Sequence, residues 1–341
     1  MHSWRLAMQQ ALYGPRGFFT TGAGPKAHFR TSVHAAPEFA AAIGRLAADL
    51  DTALGRREFQ IVDVGAGDGE LLTALDECLP VSIRSRTELT AVELRPRPDN
   101  LPVGIGWTNE IPDNVVGLII ANEWLDNVPL EVCEKTSASK ADLVYVLVDD
   151  EGHEELGAPI DDDDRGWLAN WWPQNDAAIG DRAEIGTTRD QAWHSAVSKL
   201  ERGLAIAIDY GHLRSDRVPG GPSGGTMRGF RDGQVVAPIP DGSCDITVDV
   251  AMDACASAGA GIAATTVITS QREALAALGV SGARPPVELA HSDPAEYIRQ
   301  LSAASRAAEL TSASQLGGYY WLIQSRNVDV PPLLMRLPRL N

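Results

Sequence analysis

Cysteine is scarce in this sequence: Cys78, Cys133, Cys244 and Cys255 are the only ones in 341 residues. None forms a Cys-x-x-Cys pair, and no histidine stands at metal-ligand spacing from them, so the pattern offers no zinc site. They are expected to be ordinary buried thiols in a reducing compartment. Long apolar runs are also missing. Nothing approaches the roughly 18 residues that a membrane span requires, so no membrane partner is expected. The opening MHSWRLAMQQALYG lacks the uninterrupted apolar core of a signal peptide, and a cytoplasmic location is the expectation. Basic residues are the minority, 29 Lys and Arg against 46 Asp and Glu, for a formal net charge of −17. Such a surface repels phosphates, which argues against nucleic acid or an anionic membrane as partner. It fits simple solubility or a protein partner with a basic segment. The oligomeric state is not legible.

The chain is 44% hydrophobic, enough for one large core or for one domain with an insertion. Residues 35–54 are alanine-rich with helical periodicity, and Pro37 sits where a helix start tolerates it. A strand is expected at about 59–64, then a glycine turn and a helix through ELLTALDECL. Further strands are expected at ELTAVEL (88–94), VGIGWT (103–108) and VVGLIIAN (115–122). Strand alternating with helix is the signature of a parallel sheet with crossover helices. Residues 133–185 break that rhythm. Asp161–Asp164 reads as a solvated loop, and Trp167, Trp171 and Trp172 as packing for an inserted segment or as an aromatic substrate wall. GLAIAIDYG (203–211) is a buried strand ending in Asp209 and Tyr210. Residues 214–245, rich in Gly and Pro, read as a long excursion. Two strands, 261–269 and 319–325, form a hairpin-like pair flanking helices at 270–278 and 293–309.

FQIVDVGAGDGE (59–70) carries the chemistry. Gly65, Gly67 and Gly69 stand at the carboxyl edge of the first strand, where glycine permits positive φ and leaves no Cβ to block a ligand. A dinucleotide site would read Gly-x-Gly-x-x-Gly and hold a pyrophosphate. Here Asp68 lies inside the turn and Asp63 stands two residues before it. Acids there repel a pyrophosphate and suit a cationic ligand, such as a sulfonium that also bears an amino group. Asp63 could equally brace the turn. Glu93, ending the second strand, can accept both hydroxyls of a ribose. S-adenosylmethionine therefore fits better than NAD. Asn109 ends the third strand, as an adenine contact or a plain turn residue. The fourth strand runs into Asn122, Glu123, Asp126 and Asn127, polar groups at the sheet edge where open α/β sheets bind ligands. Glu123 either faces a cationic substrate or pairs with an internal arginine.

The order of these signatures resembles the MidA family of class I methyltransferases, which includes the mitochondrial complex I assembly methyltransferase. ALYGPRGFFTTGAGPKAHFRTSVHAAPEFAAAIGRL, VDVGAGDGELL, ANEWLDNVP, GDRAEI, AIAIDYG, GTMRGFRDGQ, CDITVDVAMDA and SQREALAALGV follow one another as that family's motifs do. The chain departs from the pattern at Ala27-His28-Phe29, at Asp232-Gly233, and at Asp249, where the family has histidine. The resemblance implies an α/β, Rossmann-like class I methyltransferase fold: a mostly parallel seven-stranded sheet with helices on both faces, plus an inserted segment. It implies an N-terminal lid over residues 1–44 and a methyltransferase domain over 45–341, with an insertion at about 133–200 and a long loop at about 212–250. Tyr13, Phe18, Phe19 and Phe29 would cover the cofactor, or else staple the segment to the core. S-adenosyl-L-methionine is the implied cofactor, held by Asp63, Gly65, Ala66, Gly67, Gly69, Glu93, Asn109 and Asn122, with no metal. The implied acceptor is an arginine on a protein. Glu123 would fix its guanidinium, with Asp126 second and Glu131 as an optional partner. Methyl transfer from a sulfonium is an in-line displacement, so positioning is the protein's main task. A small-molecule methyltransferase and a non-catalytic cofactor-binding assembly factor are the alternatives.

Overall fold

The computed structural model describes residues 1–21, 37–55, 57–137, 143–172, 177–217, 225–335 and 337. The chain divides into two compact units, each assembled from separate stretches. One comprises residues 1–29, 123–195 and 209–261, the other 30–122, 196–208 and 262–341. The expected N-terminal segment, insertion and long loop thus fall largely in the same unit.

The second unit is built on a seven-stranded sheet. Its strands are β1 (Phe59–Val64), β2 (Thr87–Val92), β3 (Ile105–Thr108), β4 (Val115–Asn122), β5 (Leu200–Asp209), β6 (Thr265–Ser270) and β7 (Tyr320–Arg326). Their order across the sheet is β6-β7-β5-β4-β1-β2-β3. The sheet is mixed. β1 pairs in parallel with β2 and β4, β2 with β3, and β4 with β5, whereas β6 and β7 pair antiparallel. The central strands are near-continuous apolar runs because little of either face meets water. Register aligns their carboxyl ends: Asp63 stands opposite Ala91 and Ile120, and Asn122 opposite Ile208.

Helix Pro37–Ala53 starts at its proline and buries Phe39, Ile43, Leu46 and Leu50. Phe39 meets the ring of Trp321 edge-on at 6.3 Å. Arg306 anchors the same helix through Glu38, at 2.6 Å. The hairpin-like closing pair is β6 with β7, and a helix at Val287–Ser292 precedes the expected one, which spans Pro294–Thr311. One cysteine departs from expectation: Cys78, at the end of helix Glu70–Cys78, is exposed, while the other three are buried.

The first unit is antiparallel. Leu143–Val148 pairs with Glu131–Lys135, His2–Ser3 and Glu154–Pro159, and Glu131–Lys135 pairs with Arg182–Ile185. Helix Trp4–Tyr13 packs Trp4, Met8 and Leu12 into a core with Val132, Val146 and Ile246. Part of the expected Gly/Pro excursion is ordered as a three-stranded sheet of Arg228–Arg231, Gln234–Val236 and Asp245–Thr247. The expected solvated loop at Asp161–Asp164 is a helix start. Asp161 caps helix Asp162–Trp171 by accepting the amide of Asp164, and the following acids occupy the first turn, where the helix dipole favours them. Trp167 is core, buried with Cys133, Leu168 and Ile185, and Trp171 and Trp172 pack against that cluster.

Tyr13, Phe18 and Phe19 staple the N-terminal segment to the core of this unit. Phe18 is buried, Tyr13 and Phe19 stack at 5.6 Å, and the Tyr13 hydroxyl donates to the carbonyl of Asn127 at 3.2 Å. Phe29 and the altered Ala27-His28-Phe29 motif lie outside the described residues. Among the described residues, no helix is long and apolar enough to cross a membrane.

Candidate active site

At the carboxyl end of β1 the chain leaves the sheet through three left-handed glycines: Gly65 at φ 72°, Gly67 at 61° and Gly69 at 82°. A side chain at Gly69 would lie 2.5 Å from Leu101, and one at Gly67 would lie 3.2 Å from Oε2 of Glu70. The turn is tied to β2 at its base, where the amides of Gly65 and Ala66 both donate to the carbonyl of Val92. Glu93 closes it from above. Its Oε2 accepts the amide of Gly67 at 3.1 Å, and its Oε1 accepts those of Leu94 at 2.8 Å and Arg95 at 3.2 Å. A carboxylate has about four acceptor positions, so three are already in use.

The turn is strongly anionic. Asp63, Asp68, Glu70 and Glu93 surround it, and Glu70 accepts the amide of Asp68 at 2.9 Å. Asp63 is buried, and its carboxyl is pushed well above the ordinary range, first by burial and then by Glu70 and Glu93. Arg95 is the counter-charge, 3.0 Å from Asp68 and 3.9 Å from Glu93. Its contacts are Coulombic rather than directional, because its buried Nε and Nη2 have no hydrogen-bond partner among the described residues. Ala66 is buried within the turn, Asn109 is exposed just past β3, and Asn122 is buried at the end of β4.

Within the first unit, residues 123–128 form a second cluster of acids. Glu123 is half-buried and holds φ 51°, a left-handed conformation that a residue with a Cβ adopts only under constraint. The residues that follow are held on several sides. Asp209 takes the amides of Leu125 at 3.0 Å and Asp126 at 3.2 Å on one oxygen, and that of Tyr210 at 3.0 Å on the other. Arg189 is buried and gives its donors to carbonyls: Asp126 at 2.5 Å, Val128 at 3.1 Å, Val248 at 2.8 Å and Asp249 at 3.0 Å. Asn127 donates to Asp245 at 2.7 Å.

The Tyr210 hydroxyl donates to Oδ2 of Asp126 in a short hydrogen bond. Oδ1 of Asp126 is buried with no hydrogen-bond partner among the described residues. Burial raises the Asp126 carboxyl to about 6, and the Tyr210 hydrogen bond and Arg189 restrain the rise. Asp209 and Asp245 are pushed well above the ordinary range, first by burial and next by Asp126. Glu131 is committed elsewhere: its Oε1 accepts from Ser3 and Arg5, each at 3.0 Å, which fastens the N-terminus.

The sequence model of a family described as "Putative S-adenosyl-L-methionine-dependent methyltransferase" matches residues 42–269, most of the chain. The chain belongs to this family. It is a methyltransferase, and its cofactor is S-adenosyl-L-methionine. A solved COG1565 superfamily protein from Burkholderia thailandensis, bound to S-adenosyl-homocysteine, is similar at 24% identity and a TM-score of 0.81, over 99% of this chain and 91% of that one. A native COG1565 structure from the same organism gives 23% identity and a TM-score of 0.78, over 99% and 91%. These likenesses establish the α/β methyltransferase fold. No curated protein matches.

The structure gathers the residues singled out in the enzyme's sequence into two places. Asp63, Gly65, Ala66, Gly67, Gly69 and Glu93 meet at the turn, and Glu123 and Asp126 share the loop held by Asp209 and Arg189. Sequence reading missed Arg95, Glu70, Arg189 and Asp245. Asp245 had a signal, an acid between apolar residues in CDITVDV. Arg189, on helix Thr187–Ser198, had none, since a buried arginine spent on carbonyls looks like any exposed one in sequence.

Proposed function

We propose that the enzyme holds S-adenosylmethionine at the Gly65–Gly69 turn and Glu93 and passes its methyl group to an arginine nitrogen on a protein. The observation that carries the first half is the charge of the turn. Among the described residues four carboxylates face one arginine there, and burial first, then Glu70 and Glu93, holds the Asp63 carboxyl well above its ordinary range. A ligand with a sulfonium and an ammonium group supplies further counter-charge. A pyrophosphate would add to the repulsion. Ala66 gives backbone contact, Glu93 exchanges its grip on Gly67 for ribose hydroxyls, Asn109 reaches the adenine, and Asn122 lies toward the methionyl end.

The second half rests on the acids after β4 and on the resemblance to the MidA family. Glu123 follows Asn122 by one peptide bond, and Asp126, Asp209 and Asp245 stand near it with no salt-bridge partner among the described residues. Burial holds these carboxyls above their ordinary range although Arg189 bears on Asp126 and Asp209, and a cationic guest would favour their charged forms. A guanidinium is always protonated and therefore a poor nucleophile. Glu123, paired with one end, would fix the plane and draw charge away from the attacking nitrogen, with Asp126 beside it. The partner in this reading is a protein with a basic segment, and the setting is cytoplasmic, where free cysteines persist.

The test is transfer of tritiated methyl from S-adenosylmethionine into a lysate of the source cell, followed by identification of the labelled species. Labelled arginine in protein supports the reading. Label confined to small molecules, or to another side chain, overturns the acceptor assignment.

A further inference from the structure

Resting on the reading that the cofactor ribose meets Glu93, we infer that Arg95 is the positioning residue of that contact, holding the Glu93 carboxylate in place against the acids around it. All of these groups lie in the second unit, on the turns that follow β1 and β2. Glu93 sits among like charges: it and Glu70 both bear on Asp63, and Asp68 stands in the same turn. Three amides grip it, Gly67 on Oε2 and Leu94 and Arg95 on Oε1. A ribose that takes Oε2 replaces the Gly67 amide. Of the three, that amide is the one that ties Glu93 across to the glycine turn. The other two belong to its own neighbours in sequence and move with it.

Arg95 supplies a tie that survives the exchange. Its Nε stands 3.9 Å from Oε1 of Glu93 and its Nη2 3.0 Å from Oδ1 of Asp68, so the guanidinium links the end of β2 to the glycine turn by charge. The residue is itself anchored, its amide on Glu93 and its carbonyl accepting the indole N–H of Trp107 at 2.9 Å. The side chains of Arg95 and Glu93 are each only 12% exposed, which limits screening by water. Neither Nε nor Nη2 makes a hydrogen bond among the described residues. A hold by charge alone follows Glu93 as it turns from amide to ribose, whereas a bidentate pair would fix one geometry. Methionine at position 95 keeps most of the length and removes the charge, and lysine keeps the charge.

The experiment is calorimetric titration of S-adenosylhomocysteine and of its 2′,3′-dideoxy analogue into wild type, Arg95→Met, Arg95→Lys and Glu93→Ala, with the melting temperature of each recorded. S-adenosylhomocysteine is the probe because it lacks the sulfonium, whose attraction to the acids would itself grow on loss of Arg95. The expected result is that Arg95→Met binds S-adenosylhomocysteine roughly tenfold more weakly than wild type, and Arg95→Lys within about threefold of it. The dideoxy analogue, with no hydroxyls for Glu93 to take, should bind wild type and Arg95→Met alike. Arg95→Gln, polar and uncharged, carries the test if Arg95→Met does not fold. A residue that merely braces the turn would cost both ligands equally on substitution. Equal losses in Arg95→Met, or no loss for either ligand, overturn the inference; the cofactor placement still stands if Glu93→Ala loses affinity for S-adenosylhomocysteine alone. If Glu93→Ala treats the two ligands alike, the ribose is not at Glu93, and the placement and the inference fall together.

Discussion

Asp190 gives a stability prediction that can be worked through. It sits in the first turn of helix Thr187–Ser198, next to Arg189, and its Oδ2 accepts the indole N–H of Trp167 at 2.7 Å. Oδ1 is buried with no nitrogen or oxygen partner among the described residues, and the Cys255 thiol hydrogen-bonds the carboxyl. Burial raises its carboxyl from 3.8 to about 6, and Asp253 adds to the rise. A folded value above the unfolded one means that the protonated form is favoured by folding. The associated stability is fully present below about pH 4 and is lost as the pH climbs through about 6. A rise of about 2 pH units corresponds to about 3 kcal/mol, which residual access to water trims to roughly 2. Asp190→Asn keeps the shape and the acceptor for Trp167 and removes the charge. Urea unfolding of both proteins at about pH 4.5 and pH 7.5 should show the variant gaining roughly 2 kcal/mol on wild type between the two. A difference that stays constant with pH would refute the reasoning, because the buried carboxyl would then carry no charge penalty.

Three further outcomes follow from the two clusters. Glu93→Ala should weaken S-adenosylmethionine by roughly tenfold to a hundredfold, the net worth of about one charged hydrogen bond at about 1.5–3 kcal/mol once the lost bond to Gly67 is set against the ribose contacts, and calorimetric titration of the folded variant reads this directly. Binding of S-adenosylmethionine should release protons, because a cation beside Asp63 lowers a carboxyl that burial and its neighbours hold high; titration in buffers of differing ionisation enthalpy should show less release with S-adenosylhomocysteine, which lacks the sulfonium. Glu123→Gln should cut turnover by about a hundredfold or more, a few kcal/mol of transition-state stabilisation, with cofactor affinity little changed. A loss of melting temperature with intact turnover would instead make Glu123 structural.

Much of the second unit was legible because its signals are local. β1 and β4 fall where the apolar runs lie, and the glycine turn follows from three glycines at alternate positions. β2, β3, β5, β6 and β7 differ from expectation at their ends, where hydrogen bonding to neighbours decides the boundary. The helix start at Asp161 was misread because four consecutive acids look like solvent-facing polarity until the cap is seen. The first unit hides its logic in long-range contacts. The clamp that Arg189 and Asp209 place on residues 125–128 joins positions some 60 to 85 apart in sequence, and no period or motif announces it. Glu93 shows the opposite limit. Its place at a strand end was readable, but its present use as an acceptor for three amides was not.

The central claim is that the cofactor lies against the glycine turn. Calorimetric titration of S-adenosylmethionine into wild type and Gly67→Val tests it most directly. Gly67 holds φ 61° with Glu70 3.2 Å from where a Cβ would stand, so a branched side chain there strains the turn and crowds Glu70. The account predicts saturable binding to wild type and none to a Gly67→Val protein that still unfolds cooperatively. Equal affinity in the folded variant would contradict it.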